Sequence, residues 1–187
     1  QNYISLNLSS LMAKYVTDGK VVRWKNICIN IINDLLTFNY PLVLIPHVLL
    51  DYSFMKSLLV EIKNKSSIQI LPNNLNAAQY KWVISKSLCN SACRTHANIA
   101  SFSSSIPTVS LGYSIKSRGL NLQMYGNEDL LLYKNEINPT SVQKKVLQCL
   151  TKRTEISTQL LTVNKNIEAL SIRAGHILVD YIKGFSK

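Results

Sequence analysis

Three basic side chains in the second half of the chain could act together on an anionic ligand. Arg94 and His96 flank Thr95 just after one short strand-like run, and Lys116 follows the next such run. A guanidinium gives a phosphate or carboxylate two parallel hydrogen bonds, and an imidazole can exchange a proton near neutral pH. An ammonium adds a compact positive charge with rotating donors. These residue types predict an anion site with one group able to transfer a proton.

The elements that position these residues alternate between strands and helices. Apolar runs predict six strands, at Tyr3–Leu8, Leu42–Pro46, Ile68–Leu71, Leu88–Ala92, Thr108–Gly112 and Leu130–Tyr133. Apolar residues at three-to-four spacing predict helices between them, at Val21–Phe38, Phe54–Ile62, Asn76–Ser87 and Thr95–Ser104. This alternation predicts an α/β fold with a Rossmann-like parallel sheet and helices on both faces. After Pro139 the pattern is helical only, which predicts a tail of two helices.

Ligands of open parallel sheets bind beyond the carboxyl ends of the strands. The other polar residues at the predicted strand ends are therefore candidates for the same site, and they are Asn7, Ser9, His47, Tyr113 and Ser114. Two alternatives stay open. Asn7 and Ser9 could instead cap the next helix, and His47, after a proline, could shape its loop rather than contact a ligand.

Composition limits the classes of function. The 187 residues carry a net charge of +11, which favours an anionic partner, yet no nucleic-acid motif or basic tail is present. No apolar run is long enough to cross a membrane, and no secretory leader precedes the first strand, so we expect a soluble, cytoplasmic protein. The four cysteines lack zinc or disulfide spacing, so no metal is expected. Trp24 and Trp82 are predicted to pack within helices.

The chain resembles the polysaccharide pyruvyl transferase family, most distinctively in its middle part. The resemblance rests on Cys-Arg-Thr-His-Ala-Asn-Ile-Ala at 93–100, Ser-Ile-Pro-Thr at 105–108 and Gly-Tyr-Ser-Ile-Lys-Ser-Arg-Gly at 112–119. In that family an Arg-x-His opens a helix, and a strand begun by proline then leads to a Tyr-x-x-Lys turn. Leu-Ile-Pro-His at 44–47 is similar to the family's strand ending in Pro-His. In order and spacing the resemblance covers roughly Tyr3 to Tyr133.

The resemblance implies transfer of a pyruvyl group from phosphoenolpyruvate to two sugar hydroxyls, giving a cyclic ketal and phosphate. Such enzymes look like GT-B glycosyltransferases, in which two Rossmann-like domains face across a cleft. Residues 1–138 would be the carboxyl-terminal, donor-binding domain, and residues 139–187 would pack on it or on the missing amino-terminal domain. Arg94 and His96 would contact the donor and Lys116 would assist, with His96 as the candidate acid. No cofactor beyond the donor substrate is implied, and this chain alone is not expected to turn over.

Two other functions fit the same pattern. The domain could bind the nucleotide of an activated sugar, as GT-B glycosyltransferases and sugar epimerases do. It could also be a noncatalytic domain that binds anionic glycans or a partner enzyme. The long last helix could pack on the missing domain or on a second copy, so a homo-oligomer is a further possibility.

Overall fold

The computed structural model describes residues 2–184 and forms one sheet of six parallel strands within them. The strands are β1 (Ile4–Asn7), β2 (Leu42–Leu44), β3 (Ile68–Ile70), β4 (Cys89–Ala92), β5 (Thr108–Gly112) and β6 (Leu131–Tyr133). Their order is β3-β2-β1-β4-β5-β6, and every neighbouring pair is parallel. The predicted Rossmann-like sheet and all six of its predicted strands are confirmed.

Helices cover both faces of the sheet, as predicted. They are α1 (Ala13–Val16), α2 (Val21–Leu36), α3 (Leu49–Glu61), α4 (Ala77–Ser85), α5 (Thr95–Phe102), α6 (Ile115–Tyr125), α7 (Pro139–Thr151) and α8 (Arg153–Gly184). Helices α2, α3 and α7 lie on one face, and α4, α5 and α6 lie on the other. The two-helix tail is confirmed as α7 and α8.

Helix α6 was not predicted from the sequence. The segment after β5 was expected to be a turn ending at Lys116, but Lys116 lies in the first turn of a helix of 11 residues. The helix gives a weak amphipathic signal because two of its buried residues, Ser117 and Asn121, are polar and because Gly119 lies between them. The prediction of a turn at this point was therefore wrong.

The face of the sheet toward α2 and α7 is apolar apart from the buried Ser91 of β4, which lies in register with Leu6. Side chains alternate between the faces of a strand, so Ile4 and Leu6 of β1 point to this side together with the buried Leu42, Leu44, Val109 and Leu111. Trp24 of α2 is fully buried here, and its Nε1 donates a hydrogen bond to the Ser9 carbonyl at 2.8 Å. The predicted packing role of Trp24 is confirmed.

The opposite face, toward α5 and α6, is polar. Ser5 of β1 lies opposite Asn90 of the central strand β4, and Asn90 lies opposite Thr108 of β5. The Ser5 hydroxyl donates to Asn90 Oδ1 at 2.9 Å, and the Thr108 hydroxyl donates to the Ile106 carbonyl at 2.8 Å. The bond from Ser5 pairs one polar atom of the strand Cys-Asn-Ser-Ala. Asn90 Nδ2 and Ser91 Oγ are buried without a hydrogen-bond partner among residues 2–184, so the polarity of this central strand is only partly compensated.

The prediction for Trp82 was wrong. In α4, Tyr80 and Ile84 face the sheet, whereas Trp82, between them, is 64% exposed. A helix turns about 200° over two residues, so a residue flanked by inward-facing neighbours at i−2 and i+2 points outward.

Helix α8 has 32 residues and is about 48 Å long. Ile156 and Leu160 are buried against the domain, and Val163 and Ile167 are half-buried. From residue 168 to residue 183 every side chain is exposed, including the apolar Leu170 and Ile177. Within residues 2–184, none of the helices combines the length and apolar character that crossing a membrane requires.

Candidate active site

The candidate site lies where the strand order reverses, between the carboxyl ends of β1 and β4. Asn7 ends β1, and its amide group joins three strand ends. Its Nδ2 donates to the carbonyl of Ile45, just after β2, at 2.8 Å, and its Oδ1 accepts the backbone N–H of Arg94 at 2.9 Å. Asn7 has no exposed surface, so it holds the framework of the site.

The guanidinium of Arg94 is fixed by a carboxylate. Its Nε lies 3.1 Å from Asp51 Oδ2 and its Nη2 lies 2.8 Å from Asp51 Oδ1, which is a bidentate pair. The Asp51 side chain is fully buried, while that of Arg94 keeps 23% of its surface exposed. Since the pair uses Nε and one hydrogen of Nη2, the other Nη2 hydrogen and both Nη1 hydrogens remain for a ligand.

Asp51 is the residue of the candidate site that the sequence analysis missed. It lies in the first turn of α3 and also accepts the backbone N–H of His47 at 3.4 Å. The signal was present in the sequence, because Asp51, Phe54, Met55 and Leu58 form one buried helical stripe that contains a single charge. An acidic residue on a core-facing stripe needs a cationic partner, which here is Arg94.

His47 is held neutral at the same rim. The pKa of His47 is lowered to about 4, mainly by burial. The Asp51 carboxylate opposes this shift, and the charges of His96 and Arg94 contribute to it. Its ring packs against that of Tyr80 with 5.6 Å between the centroids. The buried Nε2 has no hydrogen-bond partner in the part of the chain that the structure describes, residues 2–184. A neutral imidazole with a spare nitrogen can donate to or accept from a ligand, but it cannot supply a full positive charge.

His96 and Lys116 lie at the starts of neighbouring helices. Both are exposed, His96 in the first turn of α5 and Lys116 in the first turn of α6. Strands β4 and β5 pair directly, as the sequence predicted, so α5 and the unpredicted α6 begin side by side. Neither Arg94 nor Ser114, the residues that precede these helices, caps them with its side chain. The first-turn N–H groups of both helices are thus suited to an anion.

The remaining candidates line the edges of this rim. Tyr113 stacks on Tyr15 of α1 at 4.5 Å between ring centroids, a pairing that the sequence analysis did not foresee, and it lies within electrostatic range of Arg94. Ser9 Oγ accepts the N–H of Leu11 at 3.3 Å and so caps the short 3-10 turn that follows β1. The structure therefore brings Asn7, His47, Arg94, His96 and Tyr113 to one rim, and it places Lys116 on the adjoining helix.

Comparison with protein families identifies the chain. A family model described as polysaccharide pyruvyl transferase matches residues 9–115, more than half of the sequence. The chain belongs to the polysaccharide pyruvyl transferase family. The match includes His47, Asp51, Arg94 and His96, and it ends one residue before Lys116. No curated protein sequence matches this family member.

Solved structures share the fold of this pyruvyl transferase family member. Methanocaldococcus jannaschii UDP-GlcNAc 2-epimerase, in complex with UDP-GlcNAc and UDP, aligns with a TM-score of 0.61 and 14% identity over 92% of this chain. Phytolacca americana UGT2, complexed with UDP-2-fluoroglucose and pterostilbene, aligns with a TM-score of 0.50 and 9% identity over 87% of this chain. The chain spans only 46% and 36% of these two structures, which is less than half of each. The fold is that of one domain of GT-B sugar enzymes.

Proposed function

We propose that this domain is the phosphoenolpyruvate-binding half of an enzyme that transfers a pyruvyl group to a saccharide. The observation that carries the proposal is the guanidinium of Arg94, locked by Asp51 at the crevice between β1 and β4. A fixed fork of N–H donors beside two helix amino termini suits a ligand with both a phosphate and a carboxylate. The family to which the chain belongs supports the choice of donor.

The proposed reaction balances without any oxidant. One acceptor hydroxyl oxygen adds to the enol carbon that bears the phosphate and loses its proton, and the methylene carbon takes a proton and becomes a methyl group. The phosphate leaves with the electron pair of its C–O bond. The second hydroxyl oxygen then adds to the same carbon and loses its proton. The products are a cyclic ketal that keeps the carboxylate, and inorganic phosphate.

Each group at the rim has a distinct part in this proposal. Arg94 binds one anionic group of the donor through Nη1 and Nη2, and Lys116 neutralises the charge that grows on the departing phosphate. His96 is exposed at the rim and is the candidate acid for the methylene carbon. His47 has a pKa of about 4 and is neutral at pH 7, so we assign it hydrogen bonding rather than proton donation.

The acceptor side of the cleft belongs, in this proposal, to another domain. The chain covers 46% of the length of the aligned epimerase, and the outer half of α8 exposes apolar residues that include Leu170, Ile177 and Leu178. We propose that this half of α8 packs on that domain. Burial of large apolar side chains is a strong driving force for such packing.

Titration calorimetry with phosphoenolpyruvate tests the donor assignment on the folded chain. Lys116→Ala and His96→Ala remove exposed side chains, so neither should disturb folding, and Lys144→Ala on α7 is a control with the same charge change. We expect Lys116→Ala to weaken binding about tenfold, the effect of one lost charge-assisted hydrogen bond, and Lys144→Ala to leave it unchanged. Absence of binding by the folded parent chain, or equal effects of the two lysine substitutions, would contradict the proposal.

A nucleotide-sugar donor is the second candidate function. It is favoured by the fold shared with the epimerase, whose structure contains UDP-GlcNAc and UDP. Saturation-transfer NMR with UDP-GlcNAc and phosphoenolpyruvate in the same sample compares the two directly. Displacement of phosphoenolpyruvate by a lower concentration of UDP-GlcNAc would support the nucleotide-sugar function instead.

A further inference from the structure

A second concave surface lies at the opposite end of the sheet from Arg94. It is an open groove of about 700 Å³ at the amino ends of β1, β2 and β3, beside α4. Its lining includes Tyr3, Pro41, Ser67, Gln69, Trp82 and Lys86. The lining also includes Val43 and Leu71, so the groove runs along β3 on the side of α4, and none of its lining residues belongs to the candidate active site.

Trp82 forms an exposed aromatic wall of the groove. Its side chain is 64% exposed, although a tryptophan is normally among the more deeply buried residues. The Lys86 ammonium lies 5.8 Å from the centroid of the indole ring. A large, flat apolar surface with a polar group at its edge is the kind of platform on which the C–H face of a sugar ring can pack.

Gln69 faces the same side of the sheet as Trp82. It pairs in register with Val43, and Val43 packs against Tyr80 and Ile84 of α4, the helix that carries Trp82. Gln69 is exposed, and its planar amide offers donors and an acceptor side by side. Two adjacent hydroxyls on a sugar ring can bind this amide together, one accepting from its N–H and the other donating to its carbonyl oxygen.

The chemistry of the lining selects a polyhydroxylated ligand. The polar side chains are neutral amides and hydroxyls, from Asn2, Gln69, Ser66 and Ser67, and the only formal charge among the lining residues is that of Lys86. Neutral groups that both donate and accept match alcohols, which do the same. The absence of a lining carboxylate disfavours cationic ligands, and Lys86 would also accept an acidic sugar.

We propose that this groove binds a saccharide, with one ring stacked on Trp82 and its hydroxyls bound by Gln69, Ser67 and Lys86. The binding itself is independent of pyruvyl transfer. Its identification with a polymeric acceptor, held at a distance from the reacting unit, rests on the proposed function. A chain of several sugar units is long enough to engage both ends of the sheet.

The two tryptophans give a direct measurement on the unmodified chain. Trp24 is fully buried and Trp82 is largely exposed, so acrylamide quenches the fluorescence of Trp82 selectively. The probes are hexasaccharides of β-1,4-linked glucose and of β-1,4-linked N-acetylglucosamine. We expect at least one to shield Trp82 and lower the slope of the quenching plot. If neither shields it in the folded chain, or if only an extended peptide does so, the proposal is wrong.

Variants separate this site from the donor site. By calorimetry, Trp82→Ala and Gln69→Ala should weaken binding of the shielding hexasaccharide, Trp82→Ala by about tenfold. Lys81→Ala, an exposed neighbour on α4 outside the groove, should not. Trp82→Ala should keep phosphoenolpyruvate binding, and Lys116→Ala should keep saccharide binding. Unchanged saccharide affinity in Trp82→Ala would overturn the groove assignment and leave the donor proposal standing. A parent chain that binds the saccharide but not phosphoenolpyruvate would overturn the donor proposal and leave the groove assignment standing.

Discussion

The two faces of the sheet use the same six strands but different chemistry. Toward α2 and α7, residues such as Leu6 and Leu44 are fully buried among other aliphatic side chains. Toward α5 and α6, the buried positions hold Ser5, Asn90 and Thr108. Aliphatic burial stabilises each side chain by about 1.5 to 3 kcal/mol, whereas a buried hydrogen bond contributes about 1 kcal/mol net. The apolar face therefore carries most of the stability.

The polar face gives the structure something that aliphatic packing does not. Asn7 lies on this face at the end of β1, and it fixes the backbone of Arg94 through a directional hydrogen bond at 2.9 Å. Hydrogen bonds constrain orientation as well as distance, so a polar layer beneath α5 sets where the first turn of that helix begins. The apolar face thus contributes most of the folding free energy, and the polar face positions the residues of the candidate site.

The largest expected effect tests the apolar side of this comparison. Leu6→Ala should lower the free energy of unfolding by about 3 to 4 kcal/mol, because it removes buried methyl groups and leaves a cavity. Ser5→Ala, the adjacent residue on the other face, is the matched control and should cost about 1 kcal/mol through the loss of its bond to Asn90. Urea denaturation measures both. Equal losses of unfolding free energy in the two variants would show that the two faces contribute equally to stability.

The next effect concerns the charged pair at the rim. Asp51→Asn should cost about 3 kcal/mol, since it leaves the partly buried Arg94 without its carboxylate. A double-mutant cycle with Arg94→Gln isolates the interaction of the two side chains. We expect the double variant to be more stable than the sum of the single losses predicts. If the loss of unfolding free energy in the double variant equals the sum of the two single losses, the two side chains do not stabilise each other. Asp51 would then not fix the guanidinium of Arg94.

A smaller effect follows from His47 and depends on pH. In the unfolded chain this histidine should titrate near pH 6.5, and in the folded chain its pKa is about 4. Between these values the unfolded state binds more protons, so stability should fall as the pH drops from 6.5 to 4, by about 2 kcal/mol. His47→Gln should remove this part of the pH dependence, and His176→Gln, which changes an exposed imidazole on α8, should keep it. Thermal unfolding at pH 7, 5.5 and 4.5 compares the three proteins.

The same contrast explains how much of the fold the sequence predicts. The helices α2, α3, α4 and α5, and the strands other than the polar β4, have apolar residues at the spacing that predicts their type and approximate bounds. Helix α6 was not predicted because two of its core-facing residues, Ser117 and Asn121, are polar. A prediction based on the spacing of apolar residues does not detect buried polar ones. The polar face is therefore the part of the fold that sequence reasoning predicts least well.

The candidate site shows a similar division. The positions of Arg94, His96 and Lys116 after adjacent strands follow from the order of elements along the chain. The pairing of Arg94 with Asp51 joins residues 43 positions apart, and it depends on how α3 packs, which no local pattern contains. Trp82 was misplaced for the same reason, since its exposure depends on where α4 crosses the sheet.

The smallest expected effect tests the polar face itself. Ser110 of β5 is fully buried, and its hydroxyl has no hydrogen-bond partner among residues 2–184. Thr108, two residues earlier on the same face, donates to the Ile106 carbonyl at 2.8 Å. Ser110→Ala should therefore change the free energy of unfolding by less than about 0.5 kcal/mol, whereas Thr108→Val should cost about 1 kcal/mol. A loss of 1 kcal/mol or more for Ser110→Ala, again about the value of one hydrogen bond, would mean that its hydroxyl is bonded in the folded protein. The Ser110 hydroxyl would then stabilise the fold as part of the polar face that positions Arg94.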